Sequence, residues 1–431
     1  MTNQLTTMPR YEAYKDSGVE WLGEIPSEWE VQRIKFLLTE VNERSETGAE
    51  ELLSLSKYAG VVPKSSLEER AGQANTLIGY KKVLNDHLVV NKMQAVNGLL
   101  AVSKINGITS PDYAVYKSKN KCVLNIYFLN YLLLQPEYLD EFKKRVTGVM
   151  EGFIRLYTDD LYDIKAILPP SRIQTGIVNF LDQKTTQIDQ AIKIKEKQAA
   201  LLEERKQILI KNAVSRGLNP DAPMRDSGVE WIGEIPAHWF IKRTKYLFFE
   251  VDERSADGEE ELLSVSHITG VTPRSEKNVT MFLAEDYTGS KTCRKDDLVF
   301  NIMWAWMGAL GVSEWNGIVS PSYGVFRQIK PDTLNSQYIE LLLKTTGYIE
   351  HYNKVSTGLH SSRLRFYSHM FFNMKLGYPP KNEQDEIVAY IETESEKIDN
   401  ATAVQQQQIE KLKEYKATLI NSAVTGKIKV A

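Results

Sequence analysis

The alternation of apolar and polar positions changes character along the chain, and does so twice in the same order. Short apolar runs broken by Gly, Asn and Pro (Leu88 to Val90, Leu99 to Val102, Tyr113 to Tyr116) predict strands in a mixed α/β body. An apolar helical stretch follows near Asn125 to Arg145. After Pro169-Pro170 the pattern becomes long, polar and helical, and Ser171 and Gln174 have the spacing of a capping box. Steps of seven along this helix give Leu181, Ile188, Lys195, Leu202 and Leu209; the later helix gives Ile391, Ile398, Gln405, Leu412 and Leu419. Ile192 and Ile409, with Ala199, Ala213 and Ala423, fill parts of a neighbouring stripe, which predicts a coiled-coil pair. Roughly forty residues at 1.5 Å each make a rod of about 60 Å. Lys195 and Gln405 interrupt the two heptads at their middles. In an antiparallel pair they would meet as a polar layer that fixes register; the alternative is a tolerated surface-like defect.

The order repeats because the sequence does. DSGVEWLGEIPSEW from Asp16 returns as DSGVEWIGEIPAHW from Asp226, and thirty of fifty positions are identical between residues 16–65 and 226–275. The same offset of 210 aligns the thirty residues from His87 with those from Asp297, and sets Thr147-Gly148 on Thr357-Gly358 and Arg155 on Arg365. A period this long marks a duplicated domain and not a solenoid. The chain therefore divides into a globular domain over 1–170, a long helix over 171–217, and a linker, LNPDAPMR, over 218–225. A second globular domain over 226–380 and a second long helix over 381–425 complete it.

Composition adjusts this picture little. The 42% hydrophobic and 25% charged residues describe an ordinary globular protein, and 431 residues suit two or three domains. No apolar run approaches the ~20 residues of a membrane helix, and Met1 to Arg10 lack a signal-peptide core. Cys122 and Cys293 make no disulfide framework, and with six scattered histidines they suggest no metal cluster. A reducing cytoplasm fits. The net charge of −3 argues against nucleic acid at first sight. Binding needs only a local basic face, however, and much of the acid lies in runs such as Glu259-Glu260-Glu261.

The repeated DSGVEWxGEIPxxW resembles the opening of each half of type I restriction–modification DNA-specificity subunits. So do PPSRIQTGIVNFLDQKTTQID and PPKNEQDEIVAYIETESEKID, with the helix endings LIKNAVSRGL and LINSAVTGKI. The resemblance spans nearly the whole chain. It implies a non-catalytic subunit with two target-recognition domains held apart by an antiparallel coiled coil. Such a subunit recognises a two-part DNA site with an unspecified gap. It also implies two copies of a DNA-adenine methyltransferase subunit as partners, and often a restriction-translocase subunit. No cofactor belongs to this chain; S-adenosylmethionine, ATP and magnesium are implied for the partners. The resemblance further suggests that residues near Lys206 to Val214 and Lys416 to Val424 carry the methyltransferase subunits.

Positions shared by the copies are expected to hold the scaffold, and divergent positions in equivalent loops to read different half-sites. In the first such stretch Asn91, Met93, Ala95 and Gly98 recur as Asn301, Met303, Ala305 and Gly308. Lys92, Gln94, Val96 and Asn97 become Ile302, Trp304, Trp306 and Met307. Positions 92, 94 and 96 would share one face of a strand. Gln suits adenine, Lys guanine or phosphate, and apolar groups the thymine methyl; repacked core is the competing reading, above all for Trp304 and Trp306. A second stretch runs from Lys143 through Arg145 and Thr147 to Arg155, against Lys354, Thr357, His360, Ser361, Arg363 and Arg365. Its cations and hydroxyls suit phosphates, although a solvated helix end explains them too. The third pairs Lys57 and Lys64 with His267 and Arg274, equally well read as a plain surface loop. Trp21, Trp29, Trp231 and Trp239, beside prolines in both copies, read as packing residues.

Two other classes compete. A DNA-adenine methyltransferase needs an acidic or amide residue before Pro-Pro and an aromatic after it, whereas the chain has LPPS and YPPK and no glycine-rich cofactor loop. Pro111-Asp112 and Glu141-Phe142-Lys143 loosely resemble a nuclease constellation, but the second copy has Pro321-Ser322 and His351-Tyr352-Asn353 there. A scaffold that binds only protein would suit two equal heads better than two divergent ones.

Overall fold

The computed structural model of the chain describes residues 8–57, 59–67, 76–148, 154–276, 286–358 and 364–430. Each copy folds around four antiparallel strands. In the first the order is Leu38–Glu40, Tyr113–Ser118, Leu88–Asn91, Leu100–Val102; in the second it is Phe248–Glu250, Gly324–Gln328, Leu298–Phe300, Leu310–Val312. Leu88–Asn91 is buried throughout, which explains why it reads as an unbroken apolar run and not an alternation. Short antiparallel pairs surround this sheet: Tyr14–Asp16 with Glu24–Pro26, Leu53–Ser56 with Gly60–Pro63, and Glu30–Arg33 with Lys165–Leu168. The apolar stretch expected as one helix is two, Ile126–Leu133 and Pro136–Arg145. Pro136 offers no N–H and keeps Gln135 extended, so the first helix must end before it.

The long helices run over Ser171–Arg216 and Lys381–Val424. Among the described residues no helix is long and apolar enough to cross a membrane. The chain divides into two compact units: residues up to Glu196 with Gln406 onward, and Lys197–Gln405. Each unit thus holds one globular head and half of each long helix. In the first, Leu181 and Ile188 share a buried core with Leu419, Ala423 and Val424, and Leu412 packs at its margin. In the second, Ala213 and Val214 are buried with Ile387, Val388 and Ile391, beside half-buried Leu209. Ile398 is buried and Leu202 half-buried. Charged pairs flank both seams: Lys416 meets Asp189 at 2.7 Å, and Lys206 meets Asp399 at 2.7 Å. The helix halves are antiparallel, and the paired residue numbers have the same sum in each unit. Lys195 and Gln405 are both half-buried at the middles of their helices.

The capping-box reading of Ser171 and Gln174 is replaced by a deeper role. Gln174 is fully buried; its amide donates to the carbonyls of Val123 (2.9 Å) and Pro169 (2.8 Å) and accepts from Asn125 N–H (2.8 Å). Gln384 repeats this with Thr333, Pro379 and Asn335. Asn125 and Asn335 in turn cap the next helix, accepting from Tyr127 N–H and Gln337 N–H. One buried amide therefore couples each long helix to its own head.

The repeated opening motif is a seat for a helix end. Trp29 and Trp239 are buried, as the packing reading requires. Gly217 ends the first long helix against Pro236 and Trp239, and Gly426 ends the second against Pro26 and Trp29. Both glycines have positive φ (+75° and +78°), and a Cβ at Gly426 would lie 2.5 Å from Pro26 Cδ. The linker is shorter in space than its sequence suggests: Met224–Asp226 already pairs with Glu234–Pro236.

Candidate nucleic-acid interface

The first divergent stretch is not a strand. Asn91 opens it with an Asx turn, its Oδ1 accepting from Met93 N–H (3.1 Å), and Asn301 does the same for Met303 (3.2 Å). A single turn of 3-10 helix follows, Ala95–Asn97 or Ala305–Met307, closed by Gly98 or Gly308 in the left-handed region. The shared residues are thus those the turn demands: Asn to start it, buried Ala to seat it, Gly to end it. With three residues per turn, positions 94 and 97 face outward together, and so do 304 and 307. The expected common face of 92, 94 and 96 is overturned by this turn. Val96 points into the core, and Lys92 is half-buried.

What the two loops display differs. Gln94 and Asn97 are exposed, and Asn97 Nδ2 donates to Gln94 Oε1 at 2.8 Å, leaving an ordered amide pair. In the second head Trp304 and Trp306 stack with centroids 5.9 Å apart and planes at 29°. Trp304 is 46% exposed and Met307 39%, so neither is repacked core. Trp306 is half-buried, its indole N–H donating to Met303 O (3.0 Å).

The structure brings the second stretch to the first. Thr147 and Arg155 bond each other's backbones (3.2 and 3.0 Å), as do Thr357 and Arg365 (3.1 and 2.9 Å). Leu156 N–H then donates to Lys92 O, and Phe366 N–H to Ile302 O, both at 2.9 Å. Thr147, Arg155 and Thr357 are exposed and Arg365 half-buried. His360, Ser361 and Arg363 lie outside the described residues. Arg145 belongs to a different environment: it pairs with buried Glu141, which Lys144 also meets at 2.7 Å. Lys354 forms an exposed pair with Glu230 (2.8 Å). Of the loose nuclease pattern, Asp112 is exposed, whereas Glu141 is buried and held by Lys144 and Arg145 of its own helix.

Of the third stretch, Lys57 and His267 are exposed at hairpin tips. In the second head Tyr323 accepts from Asn301 Nδ2 (3.0 Å) at the loop's start; burial pushes its hydroxyl pKa up, and the charge of Arg274 opposes that shift.

A basic cluster escaped the residue-by-residue reading. Lys81 is buried 3.4 Å from Glu40, and burial, then the charge of Lys92, then that of Arg44 push its pKa down against the pull of Glu40. The equivalent Lys291 meets Glu250 (3.2 Å) and Asp252 (3.8 Å), and Asp252 also holds Arg254 (2.6 Å). Asn42 stands where the second head has Asp252, and Lys92 where it has Ile302. The first head is locally basic beside its loop, and the second is neutralised. The signal was present in the sequence as an Asn/Asp divergence two places before a shared arginine.

No protein-family model matches the chain. The specificity subunit of the type I restriction enzyme MjaVIII of Methanocaldococcus jannaschii is 22% identical over 430 residues, covering 94% of each protein. The HsdS subunit of Thermoanaerobacter tengcongensis superposes with a TM-score of 0.53 at 13% identity, over 94% of this chain and 98% of that one. A chain from a type I R-M system, solved for its complex assembly and conformational transition, gives 0.67 at 14% identity, over 93% and 98%. The chain has the fold of a type I specificity subunit. The tandem heads and antiparallel helices are therefore features of that fold, and the resemblance in sequence runs with it from end to end.

Proposed function

We propose that this chain is the DNA-reading subunit of a type I restriction–modification assembly, recognising a bipartite site and directing a DNA-adenine methyltransferase to it. The observation that carries the reading is the pair of equivalent loops, 91–98 and 301–308. They share a scaffold and differ in what they expose. Two heads that bound one partner twice would have no reason to differ there. Lys92 and Arg155 hold phosphate in the first head, and Arg365 in the second, while Gln94 and Asn97 address base edges. Each head contacts one specified part of the site, and the DNA between the two parts is spanned without being read. Two methyltransferase subunits bind the chain, with a restriction-translocase subunit in assemblies that cleave. S-adenosylmethionine, ATP and magnesium serve those partners.

Equilibrium binding to duplex DNA over a series of salt concentrations tests this reading, with the methyltransferase subunit present. Affinity is expected to fall steeply with salt. Lys92→Ala should weaken binding by a similar factor on every sequence and reduce the log–log salt slope by about 1. Binding independent of salt and sequence would favour the protein scaffold. A loss confined to one base pair would make Lys92 a base reader and not a phosphate contact.

A further inference from the structure

The second head exposes a large aromatic surface at the point where the first offers amides. Trp304 and Trp306 are stacked, Met307 extends the surface by one position of the same turn, and Trp304 and Met307 are both widely exposed. Apolar surface of this kind, held rigidly at a loop, is costly to leave in water unless something covers it. The platform is rigid: the Asn301 Asx turn fixes its start, the Trp306 N–H is bonded to Met303 O, and Gly308 fixes its end. It is continuous with the candidate interface, since Phe366 N–H bonds Ile302 O one residue beyond Arg365. The platform itself is uncharged. Ile302 replaces the lysine of the first head, and Asp252 neutralises Arg254 and Lys291.

We propose that this platform reads the C5-methyl groups of thymine in the second half-site, so that the two heads recognise DNA by different chemistry. The inference rests on the DNA-reading assignment above. Thymine is the one base that presents an apolar group on the major-groove edge, and a flat aromatic pair flanked by Met gives that methyl a dry surface. Gln94 and Asn97, with paired carboxamides at the equivalent place, instead give the first head donors and acceptors. Its recognition depends on hydrogen bonds and on the neighbouring Lys92 charge.

Deoxyuridine scanning tests the proposal. Each thymine of the methylated target is replaced singly by deoxyuridine, which keeps base pairing and removes only the methyl. Binding by the complete chain with its methyltransferase subunit is then measured. At one or more positions of the second half-site the loss should be about 4-fold per methyl, the value of one buried carbon. Trp304→Ala should bind the natural site more weakly and become indifferent to the same replacement, and Met307→Ser should lessen the dependence. The first half-site should be unaffected in both variants, which also reports that they are folded. Site-specific binding that tolerates deoxyuridine throughout the second half-site would overturn the proposal, as would a half-site of G·C pairs alone. A Trp304→Ala variant that keeps the methyl dependence would overturn it too. Absence of any site-specific binding to natural DNA would instead overturn the DNA-reading assignment itself.

Discussion

Leu84 N–H donates to His87 Nδ1 (3.1 Å), and the equivalent Arg294 N–H donates to Asp297 Oδ2 (2.8 Å). The first head thus closes this turn with a neutral ring nitrogen, and the second with a carboxylate that also grips Arg327 (2.7 Å). Burial, then the nearby Lys117 charge, pushes the His87 pKa below 6.5, with Lys121 adding to it and Glu43 and Asp86 opposing. Protonation would also cost the Nδ1 acceptor. Because the folded pKa is depressed, the stability is present above pH 6.5 and is lost as pH falls through the folded value. His87→Asn should flatten the fall in urea midpoint below pH 6.5, leaving a residual slope from His351, whose pKa burial also lowers. An unchanged slope would show that His87 does not carry the effect. At this scale the sequence was half legible. Divergence between copies pointed to the loop at 91–98, but the side on which Gln94 and Asn97 stand depends on a 3-10 turn that a three-residue apolar alternation mimics.

The long helices were the most legible elements, because a heptad is a local pattern and burial of Leu181, Ile391 and Leu419 follows from it directly. Gln174 was misread, and Gln384 passed over, for the opposite reason. Their partners, Val123 and Thr333, lie far back in the chain, and only tertiary structure distinguishes a buried bracket from a local cap. The antiparallel register makes a prediction of its own. Asp189→Lys should destabilise the first unit slightly, and adding Lys416→Asp should restore most of the loss. The coupling should be roughly 0.5 kcal/mol, since the pair is partly exposed and open to salt screening. A double-mutant cycle in urea measures it, and zero coupling at low salt would refute this register.

Across the whole molecule the chain closes on itself: the last residues complete the first head. Tyr14 donates to Gly426 O (3.0 Å), Lys429 N–H to Pro9 O (2.7 Å), and Ile428 is buried in the first head's core. Truncation after Val424 should therefore lower the stability of the first head by roughly 2–4 kcal/mol and leave the second unchanged. Hydrogen exchange resolved by head would read this, and equal losses in both would contradict it. The duplication itself was plain in the sequence. This closure was not, because no local pattern records which helix end reaches which tryptophan.

The central claim is that two divergent heads read two parts of one DNA site. A genome-wide map of adenine methylation in cells co-expressing this chain with its methyltransferase subunit tests that most directly. The account predicts two short motifs separated by a constant unspecified gap. A single contiguous motif would contradict it, and so would no site-specific methylation by a partner shown to be active with another specificity subunit.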